Sequence, residues 1–411
     1  MKILHTSDWH LGQSFLTKSR REEHQAFINW LLILIEKESI NAVIVAGDIF
    51  DTGTPPSYAR EMYNQFVVAI SKLNCTLIVL AGNHDSVSTL NESKDILACL
   101  NTYVITTAGE DIHRQLFTLK NSQAEIGAIL CAVPFIRPRD LLTSSGGETG
   151  LQKREALGEA IKAHYHALYA AAVDLRDAKG LTVPIITTGH LTALGVSQSE
   201  SVRDIYIGSL DGFSADAFPP ADYIALGHIH RPQKVAKSEH IRYSGSPIPL
   251  SFDELKYNKQ VVIVEFISGK NISITPFDIP LFQPMAVLKG DLDAIKVQLQ
   301  NVANALNDQP TWLFIEVEVQ DHYSDLQQRV LAMADEYHVE VLKIKRARGK
   351  NQPVLTQQIQ ETLAELDPFD VFNKRLALET IEGDQAEAQL ERIKNEFKEI
   401  VTEVAYQEPS E

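Results

Sequence analysis

Asn41-Ala42-Val43-Ile44-Val45-Ala46-Gly47-Asp48-Ile49-Phe50-Asp51 decides the fold: an unbroken apolar run stops at a glycine and delivers a carboxylate, Asp48. A continuous β-branched run of this length suits a strand buried on both faces, with helices packed outside it. The same grammar recurs on either side. Lys2-Ile3-Leu4-His5-Thr6-Ser7 leads to Asp8 and His10, and Cys75-Thr76-Leu77-Ile78-Val79-Leu80-Ala81 leads to Gly82-Asn83-His84-Asp85. Further on, Val183-Pro184-Ile185-Ile186-Thr187-Thr188 ends in Gly189-His190, and Tyr223-Ile224-Ala225-Leu226 ends in Gly227-His228-Ile229-His230. Residues 21–37 read as a helix with Phe27, Leu31, Leu34 and Ile35 on one face. The pattern predicts an α/β fold, in which ligands gather outside the carboxyl ends of the strands. One sheet edge is therefore expected to collect all five motifs. Strands at 241–244 and 260–266 suggest a second sheet packed on the first.

Near Phe282-Gln283-Pro284 the pattern changes. Strands at 285–290, 311–319 and 339–346 alternate with helices at 292–306 and 324–338, a compact β-α-β-α-β unit without metal-capable motifs. After Gly349 the chain turns polar and helical. Leu390, Ile393, Phe397, Ile400 and Val404 recur at intervals of three and four, the spacing of a coiled-coil seam. Phe369, Phe372 and Leu376 form a second stripe. The expected division is 1–280, 281–349 and 350–411.

Composition narrows the function classes. No apolar run near the start exceeds residues 30–35, whereas a membrane span needs about 20 apolar residues. The first residues lack the basic and apolar regions of a signal peptide. Cys75, Cys99 and Cys131 are odd in number and lie in or beside apolar segments, which reads as reduced core thiols of a cytoplasmic protein. The formal charge of −16 runs against nucleic-acid binding, but residues 351–411 hold 14 acidic against 5 basic residues. Bound divalent cations would also bring positive charge to the place where phosphate must sit. Basic clusters stand at Lys18, Arg20 and Arg21, at Arg137 and Arg139, and at Lys343, Lys345, Arg346, Arg348 and Lys350. On pattern alone each reads as a solvated face.

Two divalent ions about 3.5–4 Å apart need a bridging carboxylate with oxygen and nitrogen ligands around it. Asp8, His10, Asp48, Asn83, His190, His228 and His230 offer such a set. With no thiolate among them it suits Mn²⁺ first, then Fe²⁺, with Mg²⁺ or Zn²⁺ behind. Any one motif is common; five in order after buried strands are not. His164 and His166, in an Ala-rich helical stretch, are the internal contrast. Residues two apart on a helix point to different faces, so the pair is read as surface.

Asp8-Trp9-His10, Gly47-Asp48-Ile49-Phe50-Asp51, Gly82-Asn83-His84-Asp85-Ser86, Gly189-His190 and Gly227-His228-Ile229-His230 resemble the calcineurin-like metallophosphoesterases. Within them, residues 55–60, 226–232 and 245–254 resemble the bacterial SbcD family, nuclease subunits of SbcCD complexes. The resemblance implies a four-layer αββα sandwich with a small capping domain and a helical tail. It implies that Asp8, His10, Asp48 and His230 hold one metal, and that Asn83, His190 and His228 complete the second across a bridging Asp48. It further implies 3′→5′ exonuclease action on duplex DNA ends, single-strand endonuclease action and hairpin opening, in recombination, repair and replication. The implied partners are an SbcC-like coiled-coil ATPase, docked by the tail stripes, and a second copy of the chain. Archaeal and eukaryotic relatives carry His where this chain has Asp51, so a duplex-handling role given to that His does not transfer.

His84, beside Asn83 but spare in the ligand count, is the candidate acid for the leaving oxygen, since an unperturbed His titrates near ~6.5. Asp85 is expected to orient its ring or to support a metal ligand. A small-molecule or cyclic-nucleotide phosphodiesterase or phosphatase could share these ligands. A non-catalytic scaffold that bridges DNA ends is the third reading, and the intact ligand set counts against it.

Overall fold

The structure, a computed structural model, describes residues 1–109, 111–142, 150–203, 205, 212–267, 272–303, 309–318, 325–347 and 397. Two six-stranded sheets form its centre. In the first, Lys2–Thr6, Ala42–Ala46, Thr76–Leu80 and Thr102–Ile105 run parallel, and Gln260–Phe266 and Ile272–Asp278 add an antiparallel flank beside Lys2–Thr6. In the second, Ile126–Cys131, Ile185–His190, Tyr223–Gly227 and Ile241–Tyr243 run parallel between two antiparallel edge strands, Leu116–Lys120 and Gln233–Lys234.

Strand alternation sorts each apolar run into two layers. Ala42, Ile44 and Ala46, with Ile78 and Leu80, face Leu130, Ile186, Tyr223 and Ala225 of the second sheet. Val43, Val45, Leu77 and Val79 face the other way, onto Phe27, Leu31 and Ile35 of helix Arg21–Glu38 and onto Phe66 and Ile70 of helix Ser57–Lys72. The second sheet's outer face packs under helix Gly150–Ala178, where Leu157, Ile161, Tyr165, Leu168 and Ala172 keep helical spacing. This is the four-layer αββα arrangement.

Two expectations change. The strand-end motifs come from two sheets, not one edge. The 260–266 strand completes the first sheet, and only 241–243 belongs to the second. An apolar run records burial on both faces but not which strand lies beside it.

Parallel strands Met285–Gly290, Thr311–Glu318 and Val339–Ala347 form a third sheet, with helices Leu292–Ala303 and Leu326–Ala334 and a core of its own. An aromatic seam joins it to the sandwich. Phe15 stacks on Trp312 at 5.9 Å, and Phe252 meets Phe15 and Phe314. The tail expected at 350–411 lies outside the described residues, save Phe397.

Three surface or core assignments also change. Cys99 is exposed, unlike Cys75 and Cys131. His164 is buried, hydrogen-bonded to Gln115 Oε1 at 3.1 Å, while His166 is exposed. Arg20, read as part of a basic patch, is wholly buried. It donates to Glu23 at 2.5 Å and to the Pro249 carbonyl at 2.7 Å, beneath Phe15 and Trp312. Removing one partner of a buried ion pair strands the other charge, so Arg20→Ala is expected to cost about 3–5 kcal/mol. Urea unfolding measures it, and a loss within experimental error would mean that Glu23 finds another partner.

Candidate metal centre

Asp8, Asp48 and Asn83 follow three neighbouring strands of the first sheet, while His190 ends one strand of the second and His228 follows the next. Two glycines let the sheets close on each other here. A Cβ on Gly227 would lie 1.8 Å from the Ala46 carbonyl oxygen, and one on Gly47 would lie 2.1 Å from His190 Nδ1. Gly47 also has a φ of +92°. Past the strands, Asp8, His10, Asp48 and His228 all have positive φ, between 48° and 96°. Such backbone costs about 1–3 kcal/mol per non-glycine residue and persists where the surrounding structure enforces it.

All seven candidate ligands converge. Asp8, His10 and His230 form one group and Asp48, His190 and His228 another, and all six are buried. Asp48 Oδ2 lies between them, 3.2 Å from His190 Nε2 and 3.6 Å from His10 Nε2. Asn83 Oδ1 completes the second group, 2.9 Å from His190 Nε2 and 3.1 Å from His228 Nδ1.

The outward ring nitrogens are held by acceptors. His10 Nδ1 donates to Asp51 Oδ1 at 3.1 Å, His190 Nδ1 to the Ala46 carbonyl at 2.9 Å, and His230 Nδ1 to Ser201 Oγ at 2.6 Å. With Nδ1 so held, each ring turns Nε2 inward, the atom it would offer to a metal. His10 Nε2 and His228 Nε2 are buried with no hydrogen-bond partner among the described residues. An unsatisfied buried acceptor costs about 1–3 kcal/mol, and here acceptors face acceptors. Lone pairs, carboxylates and burial together fit divalent cations.

The protonation pattern agrees. Burial alone would lower His190, but Asp48 outweighs it and carries the imidazole up to about 9, so a proton sits where a cation would. Burial, with the charge of His190, holds His228 well below the usual range and therefore neutral. Burial works against ionised Asp48, yet His190 and His84 keep its carboxyl well below the carboxylate range.

His84 stands at the rim, partly exposed. Its backbone N–H donates to Asp48 Oδ1 at 2.9 Å, and its Nδ1 donates to the Asp51 carbonyl at 2.7 Å. The premise of an ordinary pKa fails, because burial lowers the ring to about 4. It is neutral at neutral pH until something beside it favours the second proton. Nor does Asp85 orient this ring. Its carboxylate accepts from the N–H groups of Gly82, Ile49 and Phe50, tying the loop of Asn83 to the loop of Asp48.

Asp51, Ser201, Glu254 and Lys259 are contributors that the sequence reading missed. Asp51 shared a motif with Asp48, and Glu254 ends the 245–254 stretch, so both were visible as neighbours of a signal. Ser201 and Lys259 had no signal. Arg203, just beyond Ser201, brings a positive charge that acts on both Asp51 and His84. The expected basic clusters are partly committed elsewhere. Lys18 pairs with Glu340, Arg137 donates to the Asp85 and Thr106 carbonyls, and Lys343 lies over Phe314.

The calcineurin-like phosphoesterase model matches residues 1–232, and the type 5 capsule protein repressor C-terminal domain model matches residues 281–380. The SbcD chain of the SbcCD nuclease of Escherichia coli (strain K12) is 52% identical, over 94% of this chain and 95% of that one. The SbcD proteins of Rhodobacter capsulatus and Bacillus subtilis are 35% and 30% identical, over 70% and 79% of this chain and 71% and 81% of theirs. Likeness of this depth runs through the metal-capable strand ends and on into the third sheet, and so the chain belongs to the SbcD family of calcineurin-like phosphoesterases.

Proposed function

We propose that the chain is the metal-dependent DNA nuclease subunit of an SbcCD-like complex. In this reading it degrades duplex ends 3′→5′, cuts single strands and opens hairpins. One observation carries the hydrolytic part: seven side chains from two sheets meet around buried imidazole nitrogens, two of which have no hydrogen-bond partner among the described residues. Asp8, His10, Asp48 and His230 would hold one divalent ion, and Asp48, Asn83, His190 and His228 the other. Bound there, Mn²⁺ or a similar ion supplies Lewis acidity and a nucleophile at neutral pH.

The chain's own residues do the rest. The Asp51 carbonyl fixes His84 Nδ1–H, leaving Nε2 to take a proton and pass it to the departing sugar oxygen. A phosphate anion beside the ring favours its charged form and offsets the cost of burial. Asp85 holds the loops of Asp48 and Asn83 in register.

With His190 near 9, the metal-free protein carries a proton there at pH 7–8 that metal must displace. Mn²⁺ affinity should therefore rise with pH up to about 9, by at most about tenfold per unit for each proton released. Calorimetry in buffers of different ionisation enthalpy counts the proton, and a pH-independent affinity would contradict its release.

Residues 1–280 would carry the hydrolysis, 281–349 would cap it, and 350–411 would dock on the coiled coil of an SbcC-like ATPase. The support is the name of the relatives, which makes them part of an SbcCD nuclease, and the two apolar stripes of the tail. A second copy of the chain and a cytoplasmic workplace belong to the same reading. No described helix is long and apolar enough to cross a membrane. Ending the chain after Lys350 should abolish pairing with the ATPase on gel filtration and spare Mn²⁺-dependent hydrolysis of bis(p-nitrophenyl) phosphate. Undiminished pairing would refute tail docking. The test of the whole proposal is Mn²⁺-dependent cleavage of hairpin DNA, with and without the ATPase, beside a cyclic-nucleotide control. Turnover of the cyclic nucleotide alone would overturn the DNA reading.

A further inference from the structure

His230 is gripped at both ends by one buried ion pair. Lys259 Nζ donates to the main-chain carbonyl of His230 at 2.9 Å, to Ser246 Oγ at 2.7 Å and to Glu254 Oε2 at 2.5 Å. An ammonium has three N–H bonds, and all three are used. Glu254, only 2% exposed, reaches the other end of the same residue. Its Oε1 accepts the hydroxyl of Ser201, and Ser201 Oγ accepts Nδ1–H of the His230 ring at 2.6 Å. Glu254 Oε1 is itself 3.5 Å from that ring nitrogen. Ser199 donates to the same oxygen at 2.8 Å, and the N–H of Leu250 donates to Oε2 at 2.9 Å.

A buried ion pair is weak evidence for stability, because a well-packed apolar pair of similar volume often serves as well. Stability alone leaves unexplained why both charges end on His230. Ring orientation explains it. A serine that donates to a carboxylate must accept from the imidazole, and this leaves Nε2 bare and aimed inward.

We propose that Glu254 is a positioning residue, which acts through the Ser201 hydroxyl and with Lys259 as its counter-charge to fix the tautomer and angle of the His230 ring. It thereby ties one metal position to the segment 199–203. The proposal rests on the reading of His230 as a metal ligand and extends it to residues that touch neither ion nor substrate.

The experiment titrates the metal-free full-length chain with Mn²⁺ by calorimetry, for the unaltered protein and for Glu254→Gln, Ser201→Ala, Ser201→Thr and His230→Ala. Loss of an orienting partner typically costs 10–100-fold in metal affinity. Glu254→Gln and Ser201→Ala should each weaken one of the two sites by about that factor and leave the other near its original affinity. Ser201→Thr, which keeps the hydroxyl, should restore it. Imidazole ¹⁵N shifts of the metal-free, histidine-labelled protein give a readout independent of activity. His230 should be the Nδ1–H tautomer in the unaltered chain and a mixture in Ser201→Ala. Glu254→Gln strands the Lys259 charge, so Ser201→Ala carries the test if that variant does not fold. If His230→Ala loses one ion while Ser201→Ala binds both as tightly as before with its tautomer unchanged, the positioning role is wrong and the ligand set stands. If His230→Ala itself keeps both ions, the ligand assignment falls and this proposal falls with it.

Discussion

Asp48→Asn should release at least one of the two metals and lower turnover by about 10²–10³-fold, the scale seen when a main electrostatic stabiliser is removed. The substitution is nearly isosteric. The amide oxygen can still accept the His84 backbone N–H at 2.9 Å, so the fold should survive and the effect should be one of charge. What goes is the carboxylate between His190 Nε2 and His10 Nε2. Its loss also removes the interaction that carries His190 up to about 9, so less proton competition remains there and any loss of metal follows from the missing carboxylate itself. Metal analysis after exhaustive dialysis measures the first effect and initial rates the second. Two tightly retained ions per chain would contradict the shared-carboxylate arrangement.

His84→Gln should do the opposite, keeping both metals while kcat on DNA falls by about 10²–10⁴-fold, the usual worth of a positioned proton donor. The discriminating measurement is leaving-group dependence. A sugar oxygen departs badly without a proton, whereas p-nitrophenolate departs without one. The loss on DNA should therefore far exceed the loss on bis(p-nitrophenyl) phosphate. Equal losses on both substrates, with weaker Mn²⁺ binding, would instead make His84 a metal ligand, as its place beside His10 and Asp48 allows.

The site was legible where its chemistry is local. Asp8, Asp48, Asn83, His190 and His228 each stand just past a buried strand or at its end, and the end of an apolar run is a signal carried by neighbouring residues. What supports them was not legible, because it is assembled across the fold. Asp51 acts on His10 from 41 residues away, and Ser201 on His230 from 29. Which sheet each strand joins was hidden for a related reason. Ile44 and Val45 look alike in an apolar run, yet one faces the second sheet and the other a helix. Arg20 and His164 misled because charge suggests solvent, whereas each lies buried with a partner, Glu23 for one and Gln115 for the other.

The alternation of the strands also limits how this chain can change its length. Adding or deleting a single residue within Ala42–Ala46 would reverse every side chain beyond it. Ile44 would trade places with Val45, and Asp48 would swing away from His190. A lineage descended from this sequence can therefore grow or shrink in its connections but not in these strands. Each of them measures out the place of its terminal ligand, as a ruler does for the mark at its end.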